Sequence, residues 1–160
     1  MTIVEAVDGS EIDKIREYMP ESTFKIIKTG KRKDYTELTP GMIGCYLSHY
    51  KAYEQFLESG KQFAFIFEDD SKTVMPFGDA LSNLPPDWDI VSLGVLRCMN
   101  CPDVDSRFVK LHDFYGTGGY IINRNGVTKM MQYKEKPINN QIDAYMAKLC
   151  REGKVNIYSV

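Results

Sequence analysis

Three consecutive carboxylates, Glu68, Asp69 and Asp70, follow directly on the apolar run Phe63-Ala64-Phe65-Ile66-Phe67. A run of that length reads as a strand, so like charges are crowded at the point where a core ends. Carboxylates at a strand end can share a divalent cation, whose charge removes their repulsion. Oxygen-only ligands select hard ions, Mg2+ or Mn2+, and Mg2+ completes its shell largely from substrate phosphates. The cluster therefore points to a metal holding a phosphorylated substrate. The structural alternative is a solvated strand end whose aspartates shape a turn.

Other residues carry weaker signals. Cys98 and Cys101 have the C-x-x-C spacing of half a zinc site, but the sequence holds no second C-x-x-C and no H-x-x-H. A loop with two free thiols is expected there. With Cys45 and Cys150 they make four cysteines, too scattered for a disulfide framework, so reduced thiols in a cytoplasmic protein are the simplest reading. Gly116-Thr117-Gly118-Gly119 is too short for a G-x-G-x-x-G or a P-loop and reads as a turn. Gly118 and Gly119 could also let the backbone approach a ligand closely. Asp143 falls near the start of a helix, where the macrodipole favours an acid whatever its function. The two histidines stand singly, and no Ser/His/Asp or Cys/His arrangement follows from their spacing. The basic run Lys25, Lys28, Lys31, Arg32 and Lys33 reads either as a solvated loop or as a phosphate- or acceptor-facing one.

These residues need elements to position them. Asp8-Gly9 marks a turn, and Ser10 with Asp13 resembles the cap of a short helix reaching Tyr18. Residues 29–38 are polar and loop-like. Thr39 as N-cap, Pro40 at the first turn and Gly60 as terminator bracket a long helix, with Ile43, Leu47, Tyr50, Phe56 and Leu57 largely on one face. The run 63–67 suits a strand covered on both faces. A short helix is expected over 77–84 and strands over 88–93, 108–111, 120–123 and 155–160. A loop is expected over 97–106, and helices over 126–133 and 139–151. Strands alternate with helices, so the class is α/β in a single domain spanning 1–160.

The chain of 160 residues is 43% apolar and 26% charged, enough to bury a core. A net charge of −2 argues against a protein built to hold nucleic acid. No stretch approaches the roughly 18 apolar residues of a membrane span, so no transmembrane segment is expected.

Two motifs at a fixed separation carry a resemblance. The helix "TPGMIGCYLSHYKAYEQFLESG" followed by "FAFIFEDD" is similar to the signature of glycosyltransferase family 25, a G-x-x-G-C-x-x-S-H helix ahead of a strand ending in E-D-D. The segments "IVEAVDG", "WDIVSLG", "YGTGGYIINRNGVTKM" and "PINNQIDAYM" match further blocks in order. The resemblance implies a GT-A-like fold, a mixed sheet flanked by helices. It also implies an inverting, metal-dependent transferase moving galactose or glucose from a UDP-sugar. The acceptor would be a hydroxyl on a glycan such as lipooligosaccharide, or on hydroxylysine. Glu68-Asp69-Asp70 becomes the DxD-like element, with Asp70 and Glu68 on Mn2+ or Mg2+ and Glu68 or Asp69 toward the ribose or sugar. Asp143 becomes the base or an acceptor-binding group. Ser48 and His49 lie in the helix motif; His49 either touches the diphosphate or ties the helix to the sheet.

Two departures stand out. Family members usually open with a strand and loop of the type "VYVINLxRRxDR", the first wall of the nucleotide site, whereas Met1 here almost directly precedes "IVEAVDG". No histidine follows His112, although such folds often take a third metal ligand downstream. An uncovered sheet edge, weak nucleotide grip and self-association into a homo-oligomer are therefore expected. Two rivals remain. A haloacid-dehalogenase-type phosphatase would need D-x-D where this chain has E-D-D. A catalytically weak or inactive descendant would keep the fold as a glycan-binding or interaction module.

Overall fold

The computed structural model describes residues 2–34, 36–72, 81 and 83–160. Helix α1 (Ile12–Ile15) runs into a single 3-10 turn (Arg16–Tyr18), and α2 (Glu21–Thr29) and α3 (Pro40–Glu58) follow. Then come β1 (Phe63–Phe67), β2 (Ile90–Ser92), β3 (Arg97–Met99), β4 (Val109–Lys110), β5 (Asp113–Tyr115) and β6 (Gly119–Asn123). Helices α4 (Arg124–Gln132) and α5 (Ile142–Arg151) and strand β7 (Ile157–Ser159) complete the order. The main sheet has the order β1-β6-β2-β7-β4, and β3 pairs with β5 in a separate ribbon. Among the described residues, only the β2–β7 pair of the main sheet is parallel. The result is the expected mixed sheet flanked by helices.

Helix α3 forms where the sequence predicts. The Thr39 hydroxyl accepts the Met42 N–H at 3.3 Å, satisfying one of the orphan donors of the first turn, and Pro40 loses nothing there. Ile43, Tyr46, Leu47, Tyr50, Tyr53 and Phe56 are all buried and join Ile90, Tyr120, Ile122 and Ile157 in the principal core. The other face of the sheet carries Val91, Phe108, Ile121 and Tyr158, with Phe65, Trp88 and Leu93 packed against them. Neighbouring residues alternate between the two cores, as strand geometry requires.

Several expectations change. The run 63–67 is a strand, but among the described residues it forms one edge of the sheet, with β4 at the other, and Phe63 and Phe67 stay 42% and 41% exposed. An apolar run of this length does not distinguish a central strand from an edge. Ser10 caps nothing: Glu11 is the N-cap of α1, and no side chain bonds the helix start. Helix α2, in a stretch without strong sequence signals, buries only Thr23 fully. The loop expected over 97–106 begins with strand β3, whose partner β5 also went unpredicted. The helix expected over 139–151 starts at Ile142. Most of the helix expected over 77–84 lies outside the described residues.

The reading of free, reduced thiols is corrected for one pair. Cys98 and Cys101 form a disulfide across a Cα separation of 6.2 Å. Asn100, with φ at +55°, turns the chain back between them, a conformation that asparagine tolerates better than most residues. Cys45 and Cys150 remain free. Among the described residues, no helix is long and apolar enough to cross a membrane.

Candidate active site

The acidic turn leaves the carboxyl end of β1. Glu68 is half-buried, whereas Asp69 and Asp70 are exposed. The Glu68 N–H donates to the Gly118 carbonyl at 3.0 Å, and the Ser71 hydroxyl donates to the same oxygen. Thr117 Oγ1 donates to Glu68 Oε1 at 2.8 Å. Gly116, from the same loop, donates its N–H to Asp143 Oδ2 at 3.0 Å, while Oδ1 accepts the Ala144 N–H. Adjacent residues of this loop therefore hold both carboxylates, Gly116 that of Asp143 on α5 and Thr117 that of Glu68 at the strand end.

The glycines of this loop have specific work. A Cβ on Gly118 would lie 3.1 Å from Ser71 Oγ, and one on Gly119 would lie 2.9 Å from the Phe67 ring. The room they leave is filled by the protein itself, which seats the acidic turn against β6. Gly116 has φ at +104°, where a side chain would be strained.

Helix α3 supplies the other wall. His49 is buried, with Nδ1 2.7 Å from Tyr120 Oη and Nε2 3.3 Å from Glu68 Oε1. Tyr120 Oη lies 2.8 Å from Tyr53 Oη, so a chain of polar groups runs from the core out to Glu68. These contacts link α3 to β6 and to the end of β1 at His49. Its hydrogen bond is the main reason that the Glu68 carboxyl sits below the ordinary glutamate value; Thr117 adds to the effect and burial opposes it. Ser48 faces the N-terminal segment. Its hydroxyl donates to the Gly44 carbonyl and accepts the Val7 N–H, both at 2.8 Å.

Cys45 belongs to the site, although in the sequence it looked like one of several scattered thiols. Its sulfur, a His49 ring nitrogen and a Glu68 oxygen lie within 4.8 Å of one another. Burial, reinforced by the fields of Glu68, Asp143 and Asp70, pushes its thiol up to about 11. The signal available in the sequence was the i, i+4 spacing of Cys45 and His49, which puts both on one helix face. Thr117 and Tyr120 were also missed, because their partners lie far away in sequence.

A family model described as Glycosyltransferase family 25 (LPS biosynthesis protein) matches residues 1–146. The chain belongs to glycosyltransferase family 25. It is 28% identical over 144 residues to "Procollagen galactosyltransferase 2" of Homo sapiens, covering 81% of this chain. With "Procollagen galactosyltransferase 1" of Danio rerio it is 25% identical over 134 residues, 76% of this chain. In both cases the match spans 22% of the relative's own length. A shorter stretch is 36% identical over 64 residues to "Inactive glycosyltransferase 25 family member 3" of Homo sapiens, 36% of this chain and 11% of that protein.

The residues at the acidic turn fit the divalent cation that this family suggests. Asp69 and Asp70 offer exposed oxygen donors beside Glu68, the donor chemistry of Mg2+ or Mn2+.

Proposed function

We propose that this chain transfers a hexose, galactose or glucose, from a UDP-sugar to a hydroxyl on a glycan or protein, with inversion at the anomeric carbon. The observation that carries the reading is the loop 116–119, which links Glu68 at the end of β1 to Asp143 at the start of α5. Family membership and similarity to procollagen galactosyltransferases support it.

Asp70 and Glu68 would hold Mn2+ or Mg2+, which when bound supplies positive charge for the diphosphate leaving group. Asp69 faces the ribose or the sugar. Asp143 takes the proton of the acceptor hydroxyl as that oxygen attacks the anomeric carbon. The new glycosidic bond forms on the face opposite the departing UDP, which leaves with the electron pair of its own carbon–oxygen bond. His49 and Thr117 keep Glu68 ionised and aimed. Ser48, Gly118 and Gly119 contribute by seating the chain around the site.

The test is a calorimetric titration with UDP, with and without Mn2+, alongside a UDP-galactose and UDP-glucose transfer assay. Metal-dependent UDP binding should be lost in Asp70→Ala and kept in Asp143→Asn, while transfer should be lost in both. Equal turnover by Asp70→Ala and the parent would overturn the metal assignment. The second reading, a glycan-binding or interaction module, draws on the similarity to a relative named inactive. It expects no UDP binding at any Mn2+ concentration and retained binding to an immobilised glycan.

A further inference from the structure

Cys45 and His49 stand one turn apart on α3, on the face that meets Glu68. The proposed transfer chemistry uses neither the thiol nor the imidazole as a ligand, and Glu68 is the one residue common to this site and the cation site proposed at Asp70. We propose that Cys45 Sγ, His49 Nε2 and Glu68 Oε1 form a binding site for a thiophilic divalent cation, in the first place Zn2+. A thiolate, an imidazole and one carboxylate form a borderline-soft donor set, unlike the all-oxygen edge at Asp69 and Asp70. Three protein ligands leave a fourth tetrahedral position for water or a substrate atom.

The geometry is close to that of a zinc site. With ligands at about 2.0–2.1 Å, tetrahedral nitrogen and oxygen donors stand about 3.3 Å apart. His49 Nε2 and Glu68 Oε1 are 3.3 Å apart. The Cys45 sulfur lies within 4.8 Å of a His49 ring nitrogen and a Glu68 oxygen and must close to about 3.6 Å to share the ion. The outer shell is already built. Tyr120 Oη lies 2.7 Å from Nδ1 and fixes the ring, the second-nitrogen contact that metal-bound histidines commonly make. Thr117 Oγ1 donates to the same Oε1 at 2.8 Å and so orients the oxygen that faces His49.

Protons balance simply. On binding, the Cys45 thiol proton passes to solvent. The His49 ring proton moves from Nε2 to Nδ1, where the Tyr120 oxygen accepts it. The Cys98–Cys101 pair is tied up as a disulfide and Cys150 is buried, so neither competes for the ion in the oxidised protein.

Anaerobic titration of the purified chain with Co2+, followed by displacement with Zn2+, tests the site without any activity assay. One equivalent of Co2+ should bind with a thiolate-to-cobalt charge-transfer band, and Zn2+ should bleach it. Cys45→Ser should abolish the band and weaken binding more than about 100-fold, beyond the ~10–100-fold expected from losing an outer-shell partner. Tyr120→Phe should fall within that smaller range. A Cys98→Ser/Cys101→Ser variant should keep the band. Persistence of the band in Cys45→Ser, or its loss in the Cys98/Cys101 variant, would overturn the assignment. Absence of Co2+ uptake at about 100 μM would do the same. If Cys45→Ser melts early, Glu68→Gln at a half-exposed position decides: an unchanged thiolate-to-cobalt band there refutes the site, whereas Asp70→Ala should leave the band in place. Failed UDP binding with intact Co2+ binding would count against the transferase reading alone.

Discussion

Ser48→Ala separates a substrate-binding serine from a structural one. The Ser48 hydroxyl is committed twice within the chain, to the Gly44 carbonyl and to the Val7 N–H, each at 2.8 Å. Gly44 keeps its intrahelical bond in the alanine variant, but Val7 loses its acceptor. Losing a net hydrogen bond and leaving a half-buried donor partly hydrated costs about 1–2 kcal/mol. Alanine recovers roughly 0.5 kcal/mol of that through its better helix propensity. A net loss of about 1 kcal/mol is expected in urea unfolding, at unchanged m-value. The Val7 amide should exchange faster with solvent, and UDP affinity should stay within about twofold of the parent, less than 0.5 kcal/mol. A variant as stable as the parent whose UDP affinity falls tenfold would refute this reasoning and make Ser48 a ligand-binding group.

Gly44→Ala probes the same joint, because its Cβ would stand 2.5 Å from the Val7 carbonyl oxygen and 2.9 Å from the Gly9 nitrogen. An exposed helical glycine would gain about 1 kcal/mol from this change. Here overpacking against backbone should outweigh the gain and leave a net loss of about 1–2 kcal/mol by urea unfolding. Replacing Cys98 and Cys101 by serine should lower stability by about 2 kcal/mol, the entropy of so short a closed loop. Dithiothreitol should produce the same loss in the parent and none in the variant. The depressed Glu68 carboxyl contributes stability that is fully present above the ordinary value of 4.5 and lost as pH falls through its folded value. Unfolding midpoints between about pH 5 and pH 3 should therefore drop less steeply in Glu68→Gln than in the parent; identical slopes would refute the linkage.

The parts legible in the sequence are those whose signals are local. Thr39-Pro40 and Gly60 bracket α3 because capping depends on immediate neighbours, and the acidic turn announces itself by charge density. Helix α2 escaped because Thr23, Ile26, Ile27 and Thr29 dilute its helix propensity and little of it is buried. Strands β3 and β5 escaped because a three-residue ribbon exists only through its partner. The disulfide escaped for the same reason: C-x-x-C fits a free loop, a metal site or a bridge, and only the turn at Asn100 decides among them. At the site, composition pointed to Glu68 and Asp70. Cys45, Thr117 and Tyr120 became visible only once α3, the loop and β6 were brought together.

The loop 116–119 works as a spacing gauge. Glu68 and Asp143 are 75 positions apart in the chain, yet both are bonded to residues within a segment of four. Their relative placement is therefore insulated from slack elsewhere. Lengthening the connection after β3 or trimming the surface of α2 leaves the gauge untouched. An insertion of one residue between Gly116 and Thr117 would displace one carboxylate from the other, and one between Thr117 and Gly119 would shift the Glu68 partner against β6. Grafting a new acceptor-facing loop onto this scaffold is thus safest in the ribbon beyond β3, and least tolerated in the stretch between Gly116 and Gly119.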